Sequence, residues 1–170
     1  MLGFVTIDHR AGAADRLLAE IADALETGGL RLAGAIQVNL DHGPDRDCDM
    51  DLRILGDGDD APIRISQTLG TCSEGCRLDT GALARAVGRA EAVLAQGADL
   101  VIVNKFGKQE EFGRGFREFI ASALAHGIPV LLSVPAEQLP AFHAFAGDMA
   151  EPVPPEGALD WCHARIGRAA

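Results

Sequence analysis

Lysine is nearly absent from this chain: there are two, Lys105 and Lys108, against thirteen arginines, and both lysines fall in one segment. Long apolar runs are missing as well, since none approaches the roughly 20 residues that cross a bilayer. The opening residues, a very short apolar stretch followed by Asp8 and His9, lack the charged and apolar regions of a signal peptide. The expectation is a cytoplasmic protein with no membrane insertion. Cysteine is sparse. Cys48, Cys72, Cys76 and Cys162 form neither a dense disulfide scaffold nor a paired CxxC zinc pattern, so they read as reduced thiols, and no metal site is assigned. The formal net charge of −10 argues against a nucleic-acid surface, because phosphate-backbone binding needs clustered basic residues. It leaves a small anion open as a ligand.

What is present suits one domain over residues 1–170, with 48% hydrophobic residues to build its core. The segment at 98–108, ADLVIVNKFGK, organises the rest. Leu100, Val101, Ile102 and Val103 make an unbroken apolar run rich in β-branched residues, followed at once by polar residues, the pattern of a strand buried on both faces. Ligands of open α/β sheets sit beyond the carboxyl ends of the strands. Asn104, Lys105, Gly107 and Lys108 therefore stand where a site is expected.

Residues 2–7 read as a first buried strand, and Leu17, Leu18, Ile21, Ala24 and Leu25 mark one face of the helix after it. Between them the turn 8–15, DHRAGAAD, leads into a helix N-terminus, whose free amides and dipole favour an anion. A second strand spans 32–38, and a polar loop with His42 spans 39–47. Residues 49–55 and 62–66 alternate polar and apolar on either side of a glycine-rich turn, which predicts a β-hairpin. After the loop 67–79, Asp79 or Thr80 caps a helix with Leu83, Val87, Ala90 and Leu94 as its buried stripe. Beyond the organising strand the pattern predicts a helix through Phe119, Ile120, Ala123 and Leu124, a strand at 128–134, a short helix at 135–145, a short edge strand at 149–153 and a terminal helix at 158–166 anchored by Trp161. Helices between buried strands imply a three-layer α/β sandwich with a mainly parallel sheet, carrying the hairpin as an insertion. Strands 2–7, 100–103 and 129–134 are expected side by side, with the turn 8–15 and the segment 104–108 facing one cleft.

This order of parts, ending in an Ala-Asp-Leu-hydrophobic strand, resembles the nucleoside-triphosphatase group of P-loop proteins over most of residues 2–134. The resemblance implies a P-loop-like fold in degenerate form. The turn 8–15 lacks GxxxxGK[ST], in which the lysine reaches the phosphates and the hydroxyl holds magnesium. Ala14 falls where that lysine would be, and Asn104 and Lys105 fall where the adjacent magnesium-site acids would be, so standard magnesium-dependent ATPase chemistry is disfavoured. The phrases CDM at 48–50, ISQ at 65–67, GCRLD at 75–79 and VNKFGK at 103–108, with Glu110, are similar to the bacterial family called domain of unknown function 2478 over nearly the full length. That similarity implies a molybdate-transport gene neighbourhood and carries no established reaction.

The leading expectation is an oxyanion- or nucleotide-binding protein associated with molybdenum or molybdate handling, its ligand molybdate, tungstate, or a phosphate-bearing molecule such as a nucleotide or a pterin cofactor. The expected ligand set is Asp8, His9, Arg10, Gly12, Ala13 and Ala14 from the first turn and Asn104, Lys105, Gly107 and Lys108 from the second segment, with Arg77 and Arg114 closing around the anion. No catalytic residue is assigned. The expected partners are the small anionic ligand and molybdate-transport or molybdenum-cofactor proteins; an oligomer stays open. One alternative is an enzyme processing a nucleotide or a phosphate-bearing cofactor, with Lys105 polarising a phosphoryl oxygen and Glu110, Asp8 or His9 as base. The other is a thiol-based metal-binding or interaction protein using Cys48, Cys72 and Cys76, with Arg77 lowering the pKa of Cys76.

Overall fold

The computed structural model describes residues 1–7, 12–40, 49–58, 61–67 and 78–166. In chain order its elements are β1 (Leu2–Val5), α1 (Ala13–Thr27), β2 (Leu32–Leu40), β3 (Asp49–Leu55), β4 (Ile63–Arg64), α2 (Thr80–Leu94), β5 (Leu100–Val103), α3 (Lys108–Glu111), α4 (Arg117–Ala125), β6 (Val130–Ser133), α5 (Leu139–Ala146), β7 (Ala150–Pro152) and α6 (Ala158–Ile166). Single 3-10 turns precede α5, β7 and α6.

The strands form one seven-stranded sheet in the order β4-β3-β2-β5-β6-β1-β7. From β2 to β7 all neighbours run parallel, and β3 and β4 are antiparallel additions at one edge. The three expected core strands are contiguous, with β6 between β5 and β1. Every residue of β1, β5 and β6 is buried, and that burial requires cover on both faces.

Alternation along the strands supplies that cover. Leu2, Phe4, Val101, Val103, Val130 and Leu132 pack into one apolar cluster with α2, α4 and α5, while Val5, Leu100, Ile102 and Leu131 pack into a second with α1 and α6. The result is three layers. The connection from β1 to β2 runs one way along the sheet and carries α1 on one face, whereas β5 to β6 and β6 to β7 run the other way and carry α4 and α5 on the opposite face. A single crossover hand requires that switch of face with direction. Because β1 and β6 are neighbours whose connections diverge, the crevice beyond their carboxyl ends is the topological switch point where ligands of such sheets bind.

Several elements differ in extent from the sequence reading: the strands expected at 2–7, 128–134 and 149–153 are each shorter, at Leu2–Val5, Val130–Ser133 and Ala150–Pro152, and the short helix Lys108–Glu111 was not expected. β2 runs on to Leu40, because its last residues keep pairing with β3 down to Leu40 opposite Asp49. The second hairpin strand shrinks to Ile63–Arg64, followed by a lone bridge between Ser66 and Leu78; it lies at the sheet edge, and Pro62 cannot donate to a ladder. The helix expected at 135–145 is split, with a 3-10 turn at Ala136–Gln138 and α5 only from Leu139.

Candidate functional site

The carboxyl ends of β1 and β5 are separated by one strand, which at about 4.8 Å per step sets them about 10 Å apart. The first turn of α1 crosses that gap. Asp15 Oδ1 accepts a hydrogen bond from Asn104 Nδ2 at 3.0 Å, and Asp15 Oδ2 accepts one from Asn39 Nδ2 at 2.6 Å. Gln37 Nε2 donates to Asn39 Oδ1 at 2.7 Å, Asn104 Oδ1 accepts the Gln37 backbone N–H at 3.0 Å, and Ser133 Oγ donates to the Asn104 carbonyl. One polar network thus ties α1 to the ends of β2, β5 and β6. Asn104 and Gln37 are 5% and 8% exposed, and buried amides of this kind are stable only when their hydrogen bonds are made.

Gly12 precedes α1 with φ 70°, a left-handed conformation that suits glycine. A Cβ there would stand 3.6 Å from Asn39 Nδ2 and 3.9 Å from Asp15 Oδ2, so its backbone lies against the network. No side chain caps α1. The acid of its first turn is spent on two asparagines, and the uncapped amides around Ala13 and Ala14 belong to the helix end that meets this edge.

Past β5, Asn104 points inward and Lys105 outward, and Phe106 anchors the segment. Its ring is fully buried, edge-on to Phe142 at 5.3 Å and stacked on Phe145 at 5.5 Å. Glu110 braces the adjoining loop. Its Oε2 accepts the Gly107 N–H and its Oε1 the Phe116 N–H, both at 2.9 Å, from a carboxylate only 5% exposed. Arg117 donates to the Glu110 carbonyl at 3.1 Å while its guanidinium covers the Phe145 ring. Gly115, at φ 58°, leaves the space that Oε1 occupies. Burial pushes the Glu110 carboxyl above its usual range; the Phe116 and Gly107 amides and the Lys105 charge pull the other way.

The expected ligand set is therefore only partly gathered. Gly12, Ala13, Ala14 and Asn104 share one edge, joined through Asp15. Lys105 and Lys108 are exposed on the adjoining segment, Gly107 is buried beneath them, and Arg114 is exposed between α3 and α4. The Lys105 stem lies over Gly107 on the Glu110 side, and it is Asn104 that joins this segment to the first turn of α1. Asp8, His9, Arg10 and Arg77 lie outside the described residues, as do His42, Cys48, Cys72 and Cys76. Glu110, read as a candidate base, holds two backbone amides. Cys162 is fully buried, and burial pushes its thiol up to about 12, which leaves it protonated and inert. Asp15, Asn39, Gln37 and Ser133 were not in the expected set; the polar residues closing the apolar run of β2 were the one local signal for two of them. Among the described residues no group of three or more His, Cys, Asp or Glu gathers as a metal site, and no helix is long and apolar enough to cross a membrane.

The parallel strand order, with the N-terminus of α1 at the carboxyl edge beside β1, defines a P-loop-like α/β protein. The chain belongs to the family described as protein of unknown function, DUF2478, whose model matches residues 4–161. Its fold is similar to the crystal structure of THEP1 from the hyperthermophile Aquifex aeolicus, with a TM-score of 0.61 over 96% of each chain; at 15% identity that likeness is one of fold. In sequence the chain is similar to molybdenum import ATP-binding protein ModC 2 of Bradyrhizobium diazoefficiens, 38% identical over 133 residues. The match takes in 78% of this chain and 15% of that protein, so the chain corresponds to a small part of the relative.

Proposed function

We propose that this chain is an anion-binding protein of molybdenum handling, which takes an oxyanion such as molybdate or tungstate, or a phosphate-bearing molecule, without standard magnesium-dependent ATPase chemistry. The observation that carries the reading is the hydrogen bond from Asn104 to Asp15. It puts the N-terminus of α1 and the segment after β5 on one edge, at the switch point of the sheet. On this reading amides from the helix end and the charge of Lys105 serve one ligand, with Arg10 and Arg77 as further cations.

The molybdenum assignment rests on the relative. A segment like this chain occurs within a protein named as a molybdenum import ATP-binding protein, and segments joined in one polypeptide work at high effective concentration. We read this chain as the counterpart of that segment, acting beside an ATP-binding transport protein. The loss of ATPase chemistry rests on Ala14 and Asn104, neither of which offers the charge that phosphoryl transfer needs at those positions.

Calorimetry with molybdate, tungstate, sulfate and ATP tests the reading. Selective binding of one ligand over sulfate is expected, weakened about tenfold or more in Lys105→Ala, which corresponds to about 1.4 kcal/mol. Unchanged affinity in the folded variant removes Lys105 from the site. Failure of every anion to bind overturns the reading.

A further inference from the structure

Two surface features on opposite layers of the sandwich have matching chemistry. The first is the loop between α3 and α4. Phe112 at its tip is 70% exposed, more than any other large apolar side chain among the described residues, and exposed Lys108 and Arg114 flank it, with Glu111 beside it. The loop is held firmly. Glu110 grips the amides at its two ends, Gly113 and Gly115 turn it with φ 75° and 58°, and the amides of Phe112, Gly113 and Arg114 donate to the carbonyls of Lys108, Glu110 and Gln109 at 3.1, 3.1 and 2.8 Å. A ring presented this way loses little freedom when it is covered.

The second feature is a groove between α1 and the start of α6. Leu17, Ile21, Pro155 and Leu159 line it, and the exposed acids Glu20 and Glu156 complete its wall. An acid-rimmed apolar groove fits an aromatic ring between cations. Since the chain carries a net charge of −10, two copies repel in most orientations, and a loop exposing Lys108 and Arg114 against the single acid Glu111, set on a groove walled by Glu20 and Glu156, reverses this locally.

We propose that Phe112 of one copy docks into the α1/α6 groove of a second copy, with Lys108 and Arg114 against Glu20 and Glu156. Ring and groove are different surfaces, so the contact is heterologous. Each added copy brings a free ring and a free groove, and association continues into a ring or a filament.

Sedimentation velocity of the full chain at low salt, over rising concentration, tests this. The weight-average mass rises above the 17.8 kDa of one chain, and salt reduces the rise because the paired charges lie at the surface. Phe112→Ser and the double variant Glu20→Lys with Glu156→Lys each lose it; circular dichroism checks that both stay folded, as the exposure of all three side chains predicts. Mixed together, the two variants form a dimer and nothing larger, because one supplies an intact groove and the other an intact ring. A native chain that stays at 17.8 kDa, association that survives the two glutamate substitutions, or variants that do not pair on mixing would each overturn the proposal.

Discussion

Asn104 and Asp15 join the segment after β5 to the first turn of α1 through one hydrogen bond. If Ala14 occupies the position of the phosphate-loop lysine, Asp15 occupies that of the hydroxyl that would hold magnesium, and Asn104 that of the acid at the end of β5, one strand removed from β1. The hydrogen bond of 3.0 Å between them joins the same two positions with the roles reversed: the carboxylate is on the helix and the amide on the strand. Asn104→Asp therefore places two carboxylates in contact and removes the donor that Asp15 uses. We expect a loss of roughly 1–3 kcal/mol at pH 7, measured by urea denaturation, and a recovery as the pH falls and one carboxyl takes a proton. Equal stability of the two chains at pH 7 would mean that the bond contributes nothing. Glu110 makes a second prediction. Its folded pKa is raised above 4.5 by burial, so the folded chain holds that proton more tightly than the unfolded one. The contribution is fully present below pH 4.5 and is lost as pH rises through the folded pKa. Glu110→Gln removes this slope, and urea titrations from the acid side of that window to neutrality read it directly.

At the level of elements, α6 is seated by a glycine. Gly3 lies in the middle of β1, paired on both sides with Leu131 and Glu151, and the Trp161 ring of α6 fills the space above it. A Cβ on residue 3 would stand 2.6 Å from the ring, closer than packed atoms tolerate. Gly3→Ala should cost about 1–3 kcal/mol by overpacking and shift the emission of Trp161, the chain's single tryptophan, to the red as α6 lifts; an unchanged spectrum and midpoint would disprove the argument. Trp161 was legible in the sequence as a packing anchor. The glycine beneath it was not, because nothing local distinguishes Gly3 from any other residue of an apolar strand. The same contrast holds elsewhere. The runs at 100–103 and 128–134 declared buried strands, since four or more consecutive apolar residues between turns have few other uses. The burial of Glu110 was invisible, as its amide partners Gly107 and Phe116 come together only when the loop closes around it. The candidate edge divides in the same way. Asn104 could be placed at a strand end from its neighbours alone, whereas its partnership with Asp15 spans 89 residues and needs the crossover of α1 to exist.

For the molecule as a whole, the proposed function is that a P-loop-like frame binds an anion without the charges that serve magnesium and phosphate in turnover. The sheet order brings the end of β5 and the N-terminus of α1 to one edge, and on the proposed reading an anion binds there although Ala14 and Asn104 stand in place of the usual lysine and acid. Turnover has stricter needs. It requires a cation on the transferring group, a carboxylate holding the metal and a positioned nucleophile; here Asp15 is occupied by two amides and Glu110 by two backbone N–H groups. Binding and catalysis should therefore separate. With magnesium and ATP, phosphate release should stay at the rate of the buffer alone, while a cognate anion at 100 times its Kd should stabilise the native chain by about 2.7 kcal/mol, visible as a higher melting temperature. Hydrolysis that copurifies with the chain and disappears in Lys105→Ala and Asp15→Ala would show that this edge transfers phosphoryl groups, and would overturn the proposed reading in favour of an enzyme.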